Sequence, residues 1–113
     1  MTNLLQETIL TLKDNNKTTT NILWVGSVDF GYFSWQEFAE IAKNTNYDSG
    51  YGGQEVASDL LIVGKDFWLE RYEYDGSECW EFKQIPKKSK RYIKIKDLAS
   101  NNYSWNSLED LNN

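Results

Sequence analysis

Residues 67–83 constrain the fold most, because two runs of strand-forming side chains flank a turn dipeptide. Phe67-Trp68-Leu69-Glu70-Arg71-Tyr72-Glu73 and Glu78-Cys79-Trp80-Glu81-Phe82-Lys83 are rich in aromatics, and Asp75-Gly76 between them supplies residues that tolerate positive φ. The pattern predicts an antiparallel hairpin, and charge selects its expected register. A two-residue loop sets Glu73 opposite Glu78 and Glu70 opposite Glu81, which places like charges face to face. A three-residue loop, Tyr74-Asp75-Gly76, instead pairs Trp68 with Phe82, Glu70 with Trp80 and Tyr72 with Glu78, and is the expectation. Asp59-Leu60-Leu61-Ile62-Val63-Gly64, apolar on both faces, reads as the interior strand that completes a three-stranded meander.

Upstream, Leu5, Ile9 and Leu12 recur at spacings that predict an amphipathic helix ended by Asn15 and Asn16. Ile22-Leu23-Trp24-Val25 predicts a short strand stopped by Gly26, and Asp29 to Phe33 a turn with Gly31 at its tip. Ser34 and Glu37 form a capping box for a second helix whose apolar face is Trp35, Phe38, Ile41 and Ala42. Tyr47-Asp48-Ser49-Gly50-Tyr51-Gly52-Gly53-Gln54 must be a shaped loop, since its glycines reach dihedrals other residues resist. After Pro86, the alternation of Tyr92-Ile93-Lys94-Ile95-Lys96 predicts an edge strand, and Tyr103, Trp105, Leu108 and Leu111 a short C-terminal docking helix or a partly ordered tail. The fold expected is α+β: a three- to five-stranded antiparallel meander packed against two helices, with a short C-terminal helix. Its 113 residues suit one domain, divided into an N-terminal helix (1–16), a core (22–86) and a basic edge strand with tail (87–113).

Composition narrows the chemistry. The chain has no histidine, which removes histidine triads, histidine-ligated zinc and imidazole acid–base catalysis near neutral pH. The single cysteine, Cys79, cannot form an internal disulfide; its place between charged and aromatic residues points to packing rather than catalysis. The longest apolar run, Leu60 to Val63, is too short for a membrane helix, and the first residues lack a basic stretch followed by an apolar one, so a reducing cytosol is the expected compartment. Trp24, Trp35, Trp68 and Trp80 are read as core. Neither an EF-hand nor a Walker spacing occurs, and no metal or other cofactor is expected.

Charge is segregated along the chain. From Asp29 to Glu81 twelve acidic residues face only Lys43, Lys65 and Arg71, whereas Phe82 to Lys96 holds seven basic residues and no acidic one. The acidic stretch reads either as a face for a basic partner, with electrostatics speeding capture, or as solvated surface balanced within the molecule. Glu70, Glu73, Asp75 and Glu78, with Arg71 as the local cation, mark the hairpin as a candidate partner-binding element; Tyr47, Asp48, Tyr51 and Gln54 mark the glycine-rich loop. With a net charge of −5 and a pI near 4.7, direct nucleic-acid binding is not expected despite the basic segment.

Trp24-Val25-Gly26, Trp35 through Phe38, Tyr47-Asp48-Ser49-Gly50-Tyr51-Gly52, Glu55-Val56-Ala57-Ser58-Asp59-Leu60, Ile62-Val63-Gly64 and above all Glu73-Tyr74-Asp75-Gly76-Ser77-Glu78-Cys79-Trp80-Glu81-Phe82 carry a resemblance. Over residues 22–86 the chain resembles a group of small proteins encoded by phages and prophages of Gram-positive bacteria, with Cys79 standing where a tryptophan or another variable residue is expected. The resemblance implies an origin rather than a catalytic set. Small acidic proteins of mobile elements often occlude a host protein, as anti-CRISPR and other anti-defence proteins do. The function it implies is a non-enzymatic inhibitor that binds a host protein, such as a nucleic-acid-binding nuclease or a defence complex. The alternatives are a sponge for a nucleotide signal, held by Tyr47, Tyr51 and Gln54, and an immunity protein that neutralises a toxin.

Overall fold

A computed structural model describes residues 1–50, 52–101 and 105–113; Tyr51 and Tyr103 lie outside them. The expected α+β architecture is present. A five-stranded antiparallel sheet is backed on one face by two helices, and a two-stranded sheet and a short C-terminal helix complete the chain.

Helix α1 (Leu4–Asp14) begins where the Asn3 side chain accepts the Gln6 amide at 3.1 Å. Its buried row is Leu4, Thr8 and Leu12 rather than Leu5, Ile9 and Leu12: Leu5 only borders the core, and Ile9 is 41% exposed. Thr8 can occupy the core side because its hydroxyl is fully used. It donates to the Leu4 carbonyl at 2.7 Å and accepts from Trp80 Nε1 at 2.8 Å, which removes the penalty for burying it. Before α1, β1 (Thr2–Asn3) pairs with β4 (Asn46–Tyr47).

Strand β2 (Ile22–Ser27) runs through Gly26 instead of stopping there, and Gly31 opens β3 (Gly31–Phe33) rather than tipping a turn. Both departures have one cause: Gly26, at φ +149°, lets the β3 backbone come close, so the two segments form a hairpin turning at residues 28–30. Ser27 Oγ fastens that turn by accepting the Phe30 amide at 3.0 Å. Helix α2 (Trp35–Ala42) starts at the expected capping box, with the Glu37 amide donating to Ser34 Oγ at 3.1 Å and the Ser34 amide to Glu37 Oε1 at 3.3 Å. Phe38 and Ala42 face the core, Trp35 lies beside it, and Ile41 is exposed, contrary to expectation.

The meander follows as β5 (Leu61–Gly64), β6 (Phe67–Tyr74) and β7 (Ser77–Gln84), and the sheet order is β3-β2-β5-β6-β7. Val25, Ile62, Leu69 and Phe82 pair across four strands on the helix-covered face. The first three are fully buried, each burial of this kind contributing about 2 kcal/mol, and they fix which face α1 and α2 cover.

The hairpin register differs from expectation. Glu73 does oppose Glu78, and Glu70 opposes Glu81, around a two-residue loop. Asp75 at φ +53° and Gly76 at φ +84° form the turn with two left-handed residues that matches strand twist, and this local preference prevails. Repulsion is blunted because each carboxylate has its own donor. Glu73 accepts the Gly76 amide at 2.8 Å, Glu78 is bound by Arg71, Glu70 accepts Trp68 Nε1 at 2.7 Å, and Glu81 pairs with Lys83 at 2.9 Å.

Beyond β7 the Ile85 amide still donates to the Asp66 carbonyl at 2.8 Å, and then regular pairing ends at Pro86. The edge strand expected at Tyr92 to Lys96 does not form. Helix α3 (Leu108–Asn112) is present, but it attaches to the tail: Asn112 Oδ1 accepts the amides of Lys96 and Asp97, both at 2.8 Å, and Trp105 is fully exposed.

A Cβ at position 26 would collide with the Gly31 carbonyl oxygen, and the φ there is strained for any side chain. Gly26→Ala is therefore expected to destabilise the domain by about 3 kcal/mol, read from the midpoint of urea unfolding.

Candidate functional site

Arg71 lies on the covered face of β6, where its side chain is fully buried. Its guanidinium donates to Glu78 at 2.9 Å, to the Tyr47 hydroxyl at 3.0 Å and to Glu7 at 3.3 Å, and stacks 4.6 Å over the Trp80 ring. Tyr47 in turn donates to Glu7 at 2.6 Å. The other oxygen of Glu78 accepts the Glu55 amide at 2.6 Å, and the Glu78 amide donates to the Ser49 carbonyl at 2.8 Å. One cation thereby joins α1, β4, β6 and β7, and through Glu78 it holds the loop that follows β4. Burial alone would lower the Arg71 pKa; hydrogen bonds to Tyr47 and Glu78 outweigh it and raise the value. Desolvation, then the bond to Glu7, pushes the Tyr47 phenol up to about 12.

This network reassigns part of the site expected from sequence. Tyr47, Arg71 and Glu78 are buried, so they hold the fold rather than meet a partner. In the loop, the Asp48 amide donates to Glu55 at 3.0 Å and the Gly50 amide to the Asp48 side chain at 3.0 Å, so those amides face the loop itself rather than an anion. Tyr51 lies outside the described residues. Asp48, Gln54, Glu73 and Asp75 are exposed, and Glu70 is half-exposed. The acidic residues divide between two faces as alternation requires, Glu70 and Glu81 on the uncovered face and Glu73 and Glu78 on the other, where Glu78 is buried and Glu73, near the hairpin tip, is exposed.

The outward face carries what sequence reasoning missed. Tyr32 on β3, Trp24 on β2, Leu61 and Val63 on β5, and Trp68 and Tyr72 on β6 share it, and among the described residues α1 and α2 pack on the opposite face. All are half-exposed or exposed, Tyr32 at 81%. Trp24 and Trp68 are therefore not core, in contrast to Trp80. The signal was available in the alternation of β2 and β6, where Trp24 and Val25, or Trp68 and Leu69, must point opposite ways. Cys79 also lies on this face, exposed rather than packed; desolvation raises its thiol pKa, with Glu7 adding to the shift, the reverse of an activated nucleophile.

A separate apolar recess of about 390 Å³ lies between α2 and residues 55–60, lined by Phe33, Phe38, Val56 and Leu60 with Glu55 at its rim. Among the described residues, no cluster of three or more acidic or cysteine side chains is arranged to hold a metal ion, and no helix is long and apolar enough to cross a membrane. Comparison with protein-family models, curated proteins and solved structures finds no match to the chain.

Two outcomes follow from the buried cation. Arg71→Met, which strands the Glu78 carboxylate, is expected to cost about 3–5 kcal/mol, and adding Glu78→Leu to recover more than half of it, measured by a denaturation cycle of the three variants. Because the folded Tyr47 pKa of about 12 exceeds the ordinary 10.0, its contribution to stability is complete below pH 10 and is lost as pH rises toward 12. Urea midpoints measured across that window should fall less steeply in Tyr47→Phe.

Proposed function

We propose that this domain acts by binding rather than by catalysis, occluding a protein of the host cytosol through the bare aromatic face of its sheet. The observation that carries the reading is that face: an antiparallel sheet covered on one side ordinarily shows polar residues on the other, whereas here two tryptophans, two tyrosines and two aliphatics lie across four strands. Aromatic side chains on a rigid sheet are the anchors that protein interfaces favour.

The partner's chemistry follows from what surrounds the anchors. Glu70 and Glu81 stand among them, and Glu73 and Asp75 at the hairpin tip extend the negative potential. An apolar patch ringed by lysine and arginine complements this surface, as on a nucleic-acid-binding nuclease or a defence complex. The resemblance to phage and prophage proteins supports an inhibitor of the anti-defence kind. A nucleotide sponge has less support: Tyr47 is spent internally, and the apolar recess offers Glu55 rather than a cation to a phosphate.

The test is capture of a partner from the host cell by the intact protein, followed by calorimetry with that partner purified. Trp68→Arg is expected to weaken binding roughly 30-fold or more while leaving thermal unfolding unchanged. Glu73→Lys with Asp75→Lys should slow association roughly tenfold at low salt. Affinity and rate unaltered by both changes would reject the proposal.

A further inference from the structure

Two incomplete surfaces occur in the same chain. Strand β7 is the outer strand of the sheet. Its odd residues bond toward β6, as the Ile85 amide continues to do with Asp66, so the amides of Trp80, Phe82 and Gln84 point to the free side. The Glu78 amide, with the same orientation, is already taken by the Ser49 carbonyl, which marks where cover ends. The tail from Tyr92 to Lys96 is the converse: a segment with strand alternation and no strand to pair with, whose apolar members Ile93 and Ile95 remain 44% and 46% exposed. Among the described residues no ion pair joins the cations of residues 87–96 to the acidic domain.

We infer that β7 takes the Tyr92 to Lys96 segment of a second copy of this chain as a sixth, antiparallel strand, exchanged reciprocally to give a two-fold dimer. One register satisfies backbone, packing and charge together. Pairing Phe82 with Ile93 and Trp80 with Ile95 puts both isoleucines on the core face and uses the free amides of β7. The same register sets Lys94 beside Glu81, at the end of the row in which Glu70 opposes Glu81, and sets Tyr92 beside Lys83. Sliding the segment by two residues one way would bring Lys94 against Lys83, and the other way would set Ile95 against Glu78, whose amide is already taken by the Ser49 carbonyl. Closure on the same chain's β7 would crowd Lys87, Lys88 and Lys90 into the loop of residues 85–90, whereas exchange leaves them extended. The added strand lies at the sheet edge, so the aromatic anchors stay uncovered, while Lys94 compensates Glu81, one of the two carboxylates that stand among them.

Light scattering on the full chain tests this directly. The wild type is expected at twice the 13.2 kDa chain mass at micromolar concentration. Ile95→Pro, in the exposed tail, should give a folded monomer, because proline removes a ladder donor. Glu81→Lys and Lys94→Glu should each weaken the dimer roughly tenfold, and the double exchange should restore it. A chain that stays monomeric to roughly 1 mM overturns the inference, including one whose tail folds back on its own β7 and protects the Ile93 and Ile95 amides from hydrogen exchange. So does a dimer unaffected by Ile95→Pro and Glu81→Lys.

Discussion

The fold depends on one buried cation. Arg71 enters the space between sheet and helix, where an unpaired charge would cost several kcal/mol, and its surroundings are organised to prevent that. Glu7 comes from α1, Tyr47 from β4, and Glu78 and Trp80 from β7, so engaging the two terminal nitrogens of the guanidinium requires three other elements to be in place around β6 at once, while Nε is left without a partner. Greasy contacts tolerate sliding; a hydrogen-bonded charge does not. The geometry of Arg71 thus sets the orientation of α1 on the sheet and ties down the small β1–β4 sheet. It also holds the start of the long loop, whose Glu55 amide completes Glu78.

The apolar interior is one continuous cluster that runs from Tyr47 and Trp80, beside the cation, to Val25, Ile62, Leu69 and Phe38. Aromatic residues form 15% of the chain, more than that interior takes in. Trp80 is inside because its indole N–H reaches Thr8, and Trp35 borders the core against Phe38. Trp24 and Trp68 are directed outward by strand alternation, Trp68 with its N–H satisfied by Glu70. An indole held in place by a neighbouring carboxylate on a rigid strand keeps its ring presented at little entropic cost. That is a property suited to an anchor in an interface.

Much of the architecture was legible in sequence, and the misses share a physical cause. Period and capping identify both long helices and all three strands of the meander, because these signals are local. The row Leu4, Thr8, Leu12 was not legible, since nothing in α1 announces that Trp80, far along the chain, will satisfy a buried threonine. The register failed for a similar reason: opposed glutamates look repulsive until Arg71, Lys83, Trp68 Nε1 and the Gly76 amide are seen to engage one carboxylate each. Among the residues expected to meet a partner, Glu73 and Asp75 are exposed, whereas Tyr47, Arg71 and Glu78 are buried. Charge in a sequence does not distinguish a surface carboxylate from one neutralised inside.

The two opposed pairs also show where the remaining electrostatic imbalance lies. Glu78, of the inner pair, is held by the buried guanidinium, and in that low-dielectric setting a cation is worth most. The outer pair, Glu70 and Glu81, stands on a half-solvated face with Lys83 beside only one member, and the indole donor of Trp68 supplies a dipole but no charge. Negative potential therefore persists on the same face that carries the exposed aromatics. Screening weakens it in bulk solvent, but covering the face with another protein surface would remove that screening and strengthen every charge left there. In the binding role proposed for this face, a partner lacking cations would have to desolvate Glu70 and Glu81 without compensation, so aromatic contact would supply affinity and the two carboxylates discrimination by charge.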